Sequence, residues 1–408
     1  MNFPFSRIAL PVLLVGATIA GLVASQLTAS AANNTTGSPQ PDIIVGDIYD
    51  YISHGKSGSQ SSFSFGSISC NIGDAPLTWT SYNNNHPIIS TNLFRLKDGL
   101  FEQIGMNWVK QGFAALDQSL CGTCIPTGYS TLGIGCSDPY SAYLNGFQSD
   151  LSARSEVNAY SGYFPYPPVL DPSYSGRLAR RVIVDNDDLD SALNVGARYF
   201  VEIQYLTPED CMLQGNGANN VSWREVSFSN GSSFGVSFVG ATQRAEYCVD
   251  AWKSADPGVS ISELQLPNDG SVFVASKATQ LPNGNWHYAY SVYNRDSEIA
   301  VRAFAVPVAG NVSLNYKTFK DIDYHSDDVL NNTDWFEYDG LYPGTQRRVM
   351  AWVGGSYQDS PLNNAVRWGS AYSYSFVANS APRTGKVGVF SFKPGAPPYS
   401  FVTAQIPQ

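Results

Sequence analysis

The sequence predicts a mainly β protein, in which a disulfide-containing, β-rich N-terminal domain precedes an antiparallel β-sandwich of Ig-like type. Three observations predict it. The 408 residues include 36 Gly, 24 Pro, 24 Tyr, 21 Phe and 8 Trp but are only 14% charged, which excludes a coiled coil or charge-laced helical bundle. Short aromatic and β-branched runs recur along the chain with Gly, Pro, Asn or Asp between them. Six cysteines, an even number, follow an export-type N-terminus. The 43% apolar fraction excludes a disordered chain, and a net charge of −10 argues against a nucleic-acid partner.

Residues 1–31 read as a signal peptide. Arg7 supplies the positive start, Ile8 to Ala24 is a nearly unbroken apolar run, and Ala29-Ser30-Ala31 is a small-x-small cleavage site. No Lys/Arg cluster follows the run to anchor it, so the expectation is cleavage after Ala31. The product is then secreted or held at the cell surface, with no transmembrane segment. Residues 32–41 are a polar linker with nothing to bury.

Residues 42–260 form the expected N-terminal domain. Asn92 to Leu96 and Leu100 to Met106, joined by Lys97-Asp98-Gly99, read as a hairpin. Arg180–Val184 and Arg198–Leu206 are further strands. Trp223–Ser229 and Gly235–Val239 flank the hairpin turn Asn230-Gly231. Turn-rich segments at 253–258 and 267–270 mark a boundary. Residues 261–408 then hold seven strand-like runs, at 271–275, 286–294, 299–306, 312–317, 348–353, 371–377 and 386–392. In an oxidising compartment the cysteines form a disulfide framework. Cys211 and Cys248 stand apart and are expected to pair. Cys70, Cys121, Cys124 and Cys136 allow three connectivities, and a four-thiolate zinc site is the alternative for them.

Long motifs carry a resemblance. Trp286-His-Tyr-Ala-Tyr-Ser-Val-Tyr-Asn294, Asp323-Tyr-His325, Asn364 to Ser370, His86-Pro87, Arg95 to Phe113 and Gly135-Cys-Ser-Asp-Pro-Tyr140 together resemble a group of uncharacterised exported, planctomycete-type bacterial proteins. The resemblance implies export and a β-rich C-terminal domain. It implies no activity and no catalytic residues. Where the group has Lys-His-Gly, this chain has Lys110-Gln111-Gly112.

Two acidic runs are candidate metal sites. If residues 321–328 are extended, Asp321, Asp323, His325 and Asp327 share one face. Asp185, Asp187 and Asp188 crowd a second turn. It lacks the third ligand and the glycine of an EF-hand, which leaves an irregular calcium site or a helix cap as readings. Calcium is the cofactor these residues suggest. Trp108, His86, Trp286, His287 and Trp335 are candidate binding residues, joined by Trp79, Tyr163 and Tyr166 as faces for stacking sugar rings. Gly231-Ser232-Ser233-Phe234-Gly235 matches a nucleophile-elbow pattern, but strands flank it on both sides.

These features point to an exported extracellular or cell-surface protein with a non-catalytic binding or structural role, taking a glycan or a cell-surface component as partner. One alternative is a polysaccharide-active enzyme using Glu102, Glu156, Glu202, Glu209 or Asp210. Another is a metal-dependent protein centred on Asp323 and His325.

Overall fold

Turn chemistry and alternation set the strands. The computed structural model describes residues 39–170, 176–212, 215–325 and 328–408. The expected signal peptide, linker residues 32–38 and Asp327 lie outside the described residues. Among the described residues, strand accounts for 48% and helix for 6%, the sheets are antiparallel, and the mainly β class holds.

The main path of the first sheet, in spatial order, is Ile43–Ser57, Gln60–Asn71, Val182–Asp185, Leu100–Met106, Ile88–Lys97, Arg198–Leu206, Val221–Ser229 and Gly235–Arg244. Asp98 and Gly99 both take positive φ (52° and 78°), the backbone a two-residue hairpin turn demands. The Asn230–Gly235 segment likewise joins two antiparallel strands, so the nucleophile-elbow pattern falls on a hairpin loop.

After the helix Cys248–Ala255 the chain leaves the first sheet, and the described residues close into one compact unit. A middle sheet runs Ser260–Gln265, Ser271–Gln280, Trp286–Asn294, Ser370–Ala378, Leu314–Lys320. An outer sheet runs Phe336–Leu341, Arg348–Val353, Val301–Pro307, Pro382–Ser391, Tyr399–Pro407. The two pack face to face over a shared core that includes Tyr290, Tyr374, Phe304 and Trp352. Ten strands therefore replace the seven expected of an Ig-like sandwich. The additional ones (Ser260–Gln265, Phe336–Leu341 and Tyr399–Pro407) are edge strands, whose mixed exposed faces give a weak alternation signal.

The middle sheet is buried on both faces. In Ser370–Ala378, Tyr372, Tyr374 and Phe376 fill the sandwich core, while Ala371, Ser373 and Ser375 turn the other way. Their small size lets the Leu100–Met106 strand approach closely, so that Ala371 N–H donates to Gln103 Oε1 at 2.8 Å.

Cys70 is joined to Cys121, and Cys124 to Cys136. This removes the zinc alternative, because all four sulfurs are bonded to sulfur. The expected Cys211–Cys248 bridge is corrected. Cys248 is buried at the helix start among Phe200, Trp223 and Trp252, whereas the Cys211 thiol donates to the Pro208 carbonyl at 3.3 Å. Each thiol is absorbed by its own local packing.

Candidate functional site

The two acidic runs meet. After the Leu314–Lys320 strand the chain stays extended, with Ile322 and Tyr324 buried and Asp323 exposed. Asn332 holds this segment, accepting the Tyr324 N–H at 2.8 Å and donating to the Tyr324 carbonyl at 2.9 Å. Opposite it, the Val182–Asp185 strand ends in the single helical turn Asn186–Leu189. Between them lies an open cavity of about 480 Å³. Asp185, Asp188, Asp321, Asp323, Asp334 and Lys320 supply its charges, Gln60 and Asn332 its amides, and Ile104, Met106, Ile183 and Phe319 its apolar wall.

Those charges are unequal in role. Asp188 is spent, with one oxygen 2.8 Å from Arg95 and the other 2.8 Å from Lys320. Asp185, Asp321, Asp323 and Asp334 have no Lys or Arg within ion-pair distance among the described residues. Burial, reinforced by Asp334 and Asp323, pushes the Asp321 carboxyl up to about 6 despite a hydrogen bond from Asn364. Burial and then Asp334 and Asp185 raise Asp323 as well.

The expected metal face is altered. His325 is buried, its Nε2 3.0 Å from the Met106 carbonyl and its ring against Trp108. It lines the same cavity as Asp321 and Asp323 but forms no three-ligand cluster with them. Asp187 stands exposed on the helical turn. Among the described residues, the one set of three ligand atoms within 4.8 Å of one another is Asp117, Cys124 and Cys136, and two of those are disulfide-bonded. The cavity therefore holds no three-ligand cage from described residues.

Most of the expected binding residues fill the interior. Trp79, Trp108 and Trp335 are buried, and the Trp335 indole donates to the Asn364 carbonyl at 3.1 Å. His86 is fully buried and ringed by Phe113, Phe164 and Tyr166; its Nε2 accepts the Gly112 N–H at 2.8 Å. Burial lowers it to about 4, so it stays neutral. His287 and Trp286 are half-buried at the start of a middle-sheet strand. Tyr163 is exposed. The correction has one cause: a chain with three stacked sheets has enough interior to absorb most of its large aromatics.

The carboxylates considered for catalysis each have hydrogen-bond or ion-pair partners within the fold. Glu102 pairs with Arg95 at 2.6 Å, Glu156 accepts the Val169 and Leu170 N–H groups, and Glu209 accepts the Thr78 N–H at 2.8 Å. Asp210 accepts N–H groups of Ile43 and Asn216 at 2.6 and 2.9 Å. Glu202 is wholly buried and accepts from the Cys248 N–H (2.7 Å), Asn92 (2.9 Å) and the Tyr293 hydroxyl (3.1 Å). Beside it Arg154, drawn down to about 10 by burial, donates to the carbonyls of Asn107, Thr91 and Gly369.

Sequence reasoning missed Gln60, Lys320 and Asn332. They come from separate segments, and each is an ordinary strand or loop residue until the sheets stack. No protein-family model matches the chain, and no curated protein matches it significantly. Among the described residues no helix is long and apolar enough to cross a membrane.

Proposed function

We propose that this is an exported, non-catalytic binding protein that takes a polyhydroxylated, amine-bearing ligand, an amino-sugar glycan, in the acid-lined cavity. The signal-like residues 1–31 and the two disulfides support export. One observation carries the ligand class: Asp185, Asp321, Asp323 and Asp334 converge from two distant segments with no Lys or Arg within ion-pair distance among the described residues, Lys320 acting on Asp323 only at longer range. Uncompensated carboxylates attract ammonium groups and accept hydrogen bonds from hydroxyls. The spread of the carboxylates suits an organic ligand better than a bare calcium ion, which needs converging oxygens at about 2.3–2.6 Å. At about 480 Å³ the cavity falls in the range of small-ligand sites, roughly 300–1,000 Å³.

Calorimetric titration of glucosamine oligomers and their N-acetylated counterparts tests this reading. The amine form binds more tightly, and Asp323→Asn weakens it about tenfold, with the affinity falling as salt rises. Equal binding of the two forms, or an unaffected Asp323→Asn variant, sinks it.

A second reading rests on Asp321. A carboxyl near pH 6 beside other carboxylates suits a general acid for glycoside cleavage. Release of reducing ends that Asp321→Asn abolishes would favour this enzyme over the binding protein.

A further inference from the structure

Asp321 differs from the other unpaired carboxylates of the cavity. Asp185, Asp323 and Asp334 are exposed, whereas Asp321 is half-buried and gripped from behind. The grip comes from Asn364, 43 residues further along the chain and only 3% exposed. Its Nδ2 donates to Asp321 Oδ2 at 2.5 Å and to the Thr333 carbonyl at 3.0 Å.

Asn364 is itself clamped. The hydroxyl of Tyr372, a wholly buried core residue, donates to Asn364 Oδ1. The neighbouring Ala365 carbonyl accepts the Tyr324 hydroxyl at 3.0 Å, and the Asn364 carbonyl accepts the Trp335 indole at 3.1 Å. Only one orientation of the amide satisfies these partners. Turned over, it would set Oδ1 against the Thr333 carbonyl, which has no proton to give.

We propose that Asn364 is the positioning residue of this cavity: clamped by Tyr372, it fixes Asp321 Oδ2 and leaves Oδ1 to meet the ammonium group of the ligand, on the amino-sugar reading of the site. Asp323 and Asp334, from the same stretch of chain, repel the Asp321 charge, and Asp185 and Asp188 line the cavity opposite. Lys320 is bound to Asp188, and His325 to the Met106 carbonyl. Burial keeps the Tyr372 and Tyr374 hydroxyls protonated. The Asn364 hydrogen bond works against burial and repulsion, because a donor to a carboxylate favours its charged form. A fixed, charged oxygen is what an ammonium group needs from the wall of the cavity.

Carbon-13 NMR titration of the Asp321 carboxyl in the ligand-free chain tests the positioning role. Asn364→Ala raises its midpoint by about 1 pH unit. Tyr372→Phe keeps the ring in the core, removes only the hydroxyl and raises the midpoint by less. A residue that merely braces the fold would lower the melting temperature and leave the midpoint in place, so an unmoved midpoint in both variants overturns the proposal. Calorimetry with the glucosamine tetramer at pH 6.5 reads the ligand side. Asn364→Ala binds it about threefold more weakly, following the smaller ionised fraction of Asp321. A shifted midpoint with unchanged affinity overturns the assignment of Oδ1 to the ligand. Wild-type protein that does not bind the tetramer sinks the amino-sugar reading, while the carboxyl titration still decides whether Asn364 positions Asp321.

Discussion

Asp321 shows how one side chain ties pH to stability. Its carboxyl titrates near 6 in the fold and near 3.9 in an unfolded chain, so between those values the native state holds the extra proton. Stability from this group is complete below about pH 4 and is lost as pH rises through 6. The loss is on the order of 2–3 kcal/mol. Asp321→Asn cannot lose it. In denaturant melts the variant is therefore relatively more stable against wild type at pH 7.5 than at pH 4. A pH-independent difference between the two would remove the buried, repelled carboxylate from the account of the cavity.

At the scale of elements, close approach is the constraint. Ser373 lies under the Leu100–Met106 hairpin strand and donates to the Phe101 carbonyl. Ser373→Leu combines overpacking with the lost hydrogen bond, and urea melts should show a loss of roughly 2–4 kcal/mol. Gly46 has a parallel role at the disulfide, since a Cβ there would fall 2.4 Å from the Cys70 sulfur. The bridges close loops of different length, with sequence separations of 51 and 12. Loop-closure entropy puts Cys121→Ser at about 4 kcal/mol and Cys124→Ser at about 3. The order of those two losses, read from denaturation midpoints, checks the connectivity. The first hairpin, Ile43–Ser57 with Gln60–Asn71, belongs here too. Its serine-rich second strand reads poorly as a strand because it is buried along most of its length and selected for small size.

For the whole molecule, the decisive arrangement is the middle sheet held between two others, with Glu202 and Arg154 as buried polar groups at the seam. Glu202→Ala leaves the Cys248 N–H and the Tyr293 hydroxyl without their acceptor and Arg154 without its nearby carboxylate. Thermal and urea unfolding should show a loss of roughly 3–5 kcal/mol, with Glu202→Gln recovering part of it. A silent Glu202→Ala would mean that the seam contributes nothing to holding the layers together. The β class, the Asp98-Gly99 and Asn230-Gly231 turns and many of the strands were legible in local sequence, because alternation and turn chemistry act over a few residues. The acidic runs were legible as runs. Their meeting was not, since Asp185 and Asp321 lie far apart in the chain and only the stacking of the first and middle sheets brings them to one cavity. Tertiary packing also buried Trp108 against His325, His86 among Phe113, Phe164 and Tyr166, and Trp335 in the core between the middle and outer sheets, and it left Phe336, Tyr338 and Phe401 facing solvent. Local pattern alone determined where this chain extends and turns. Tertiary structure decided which aromatics and carboxylates meet water, because that depends on which sheet face finds a partner.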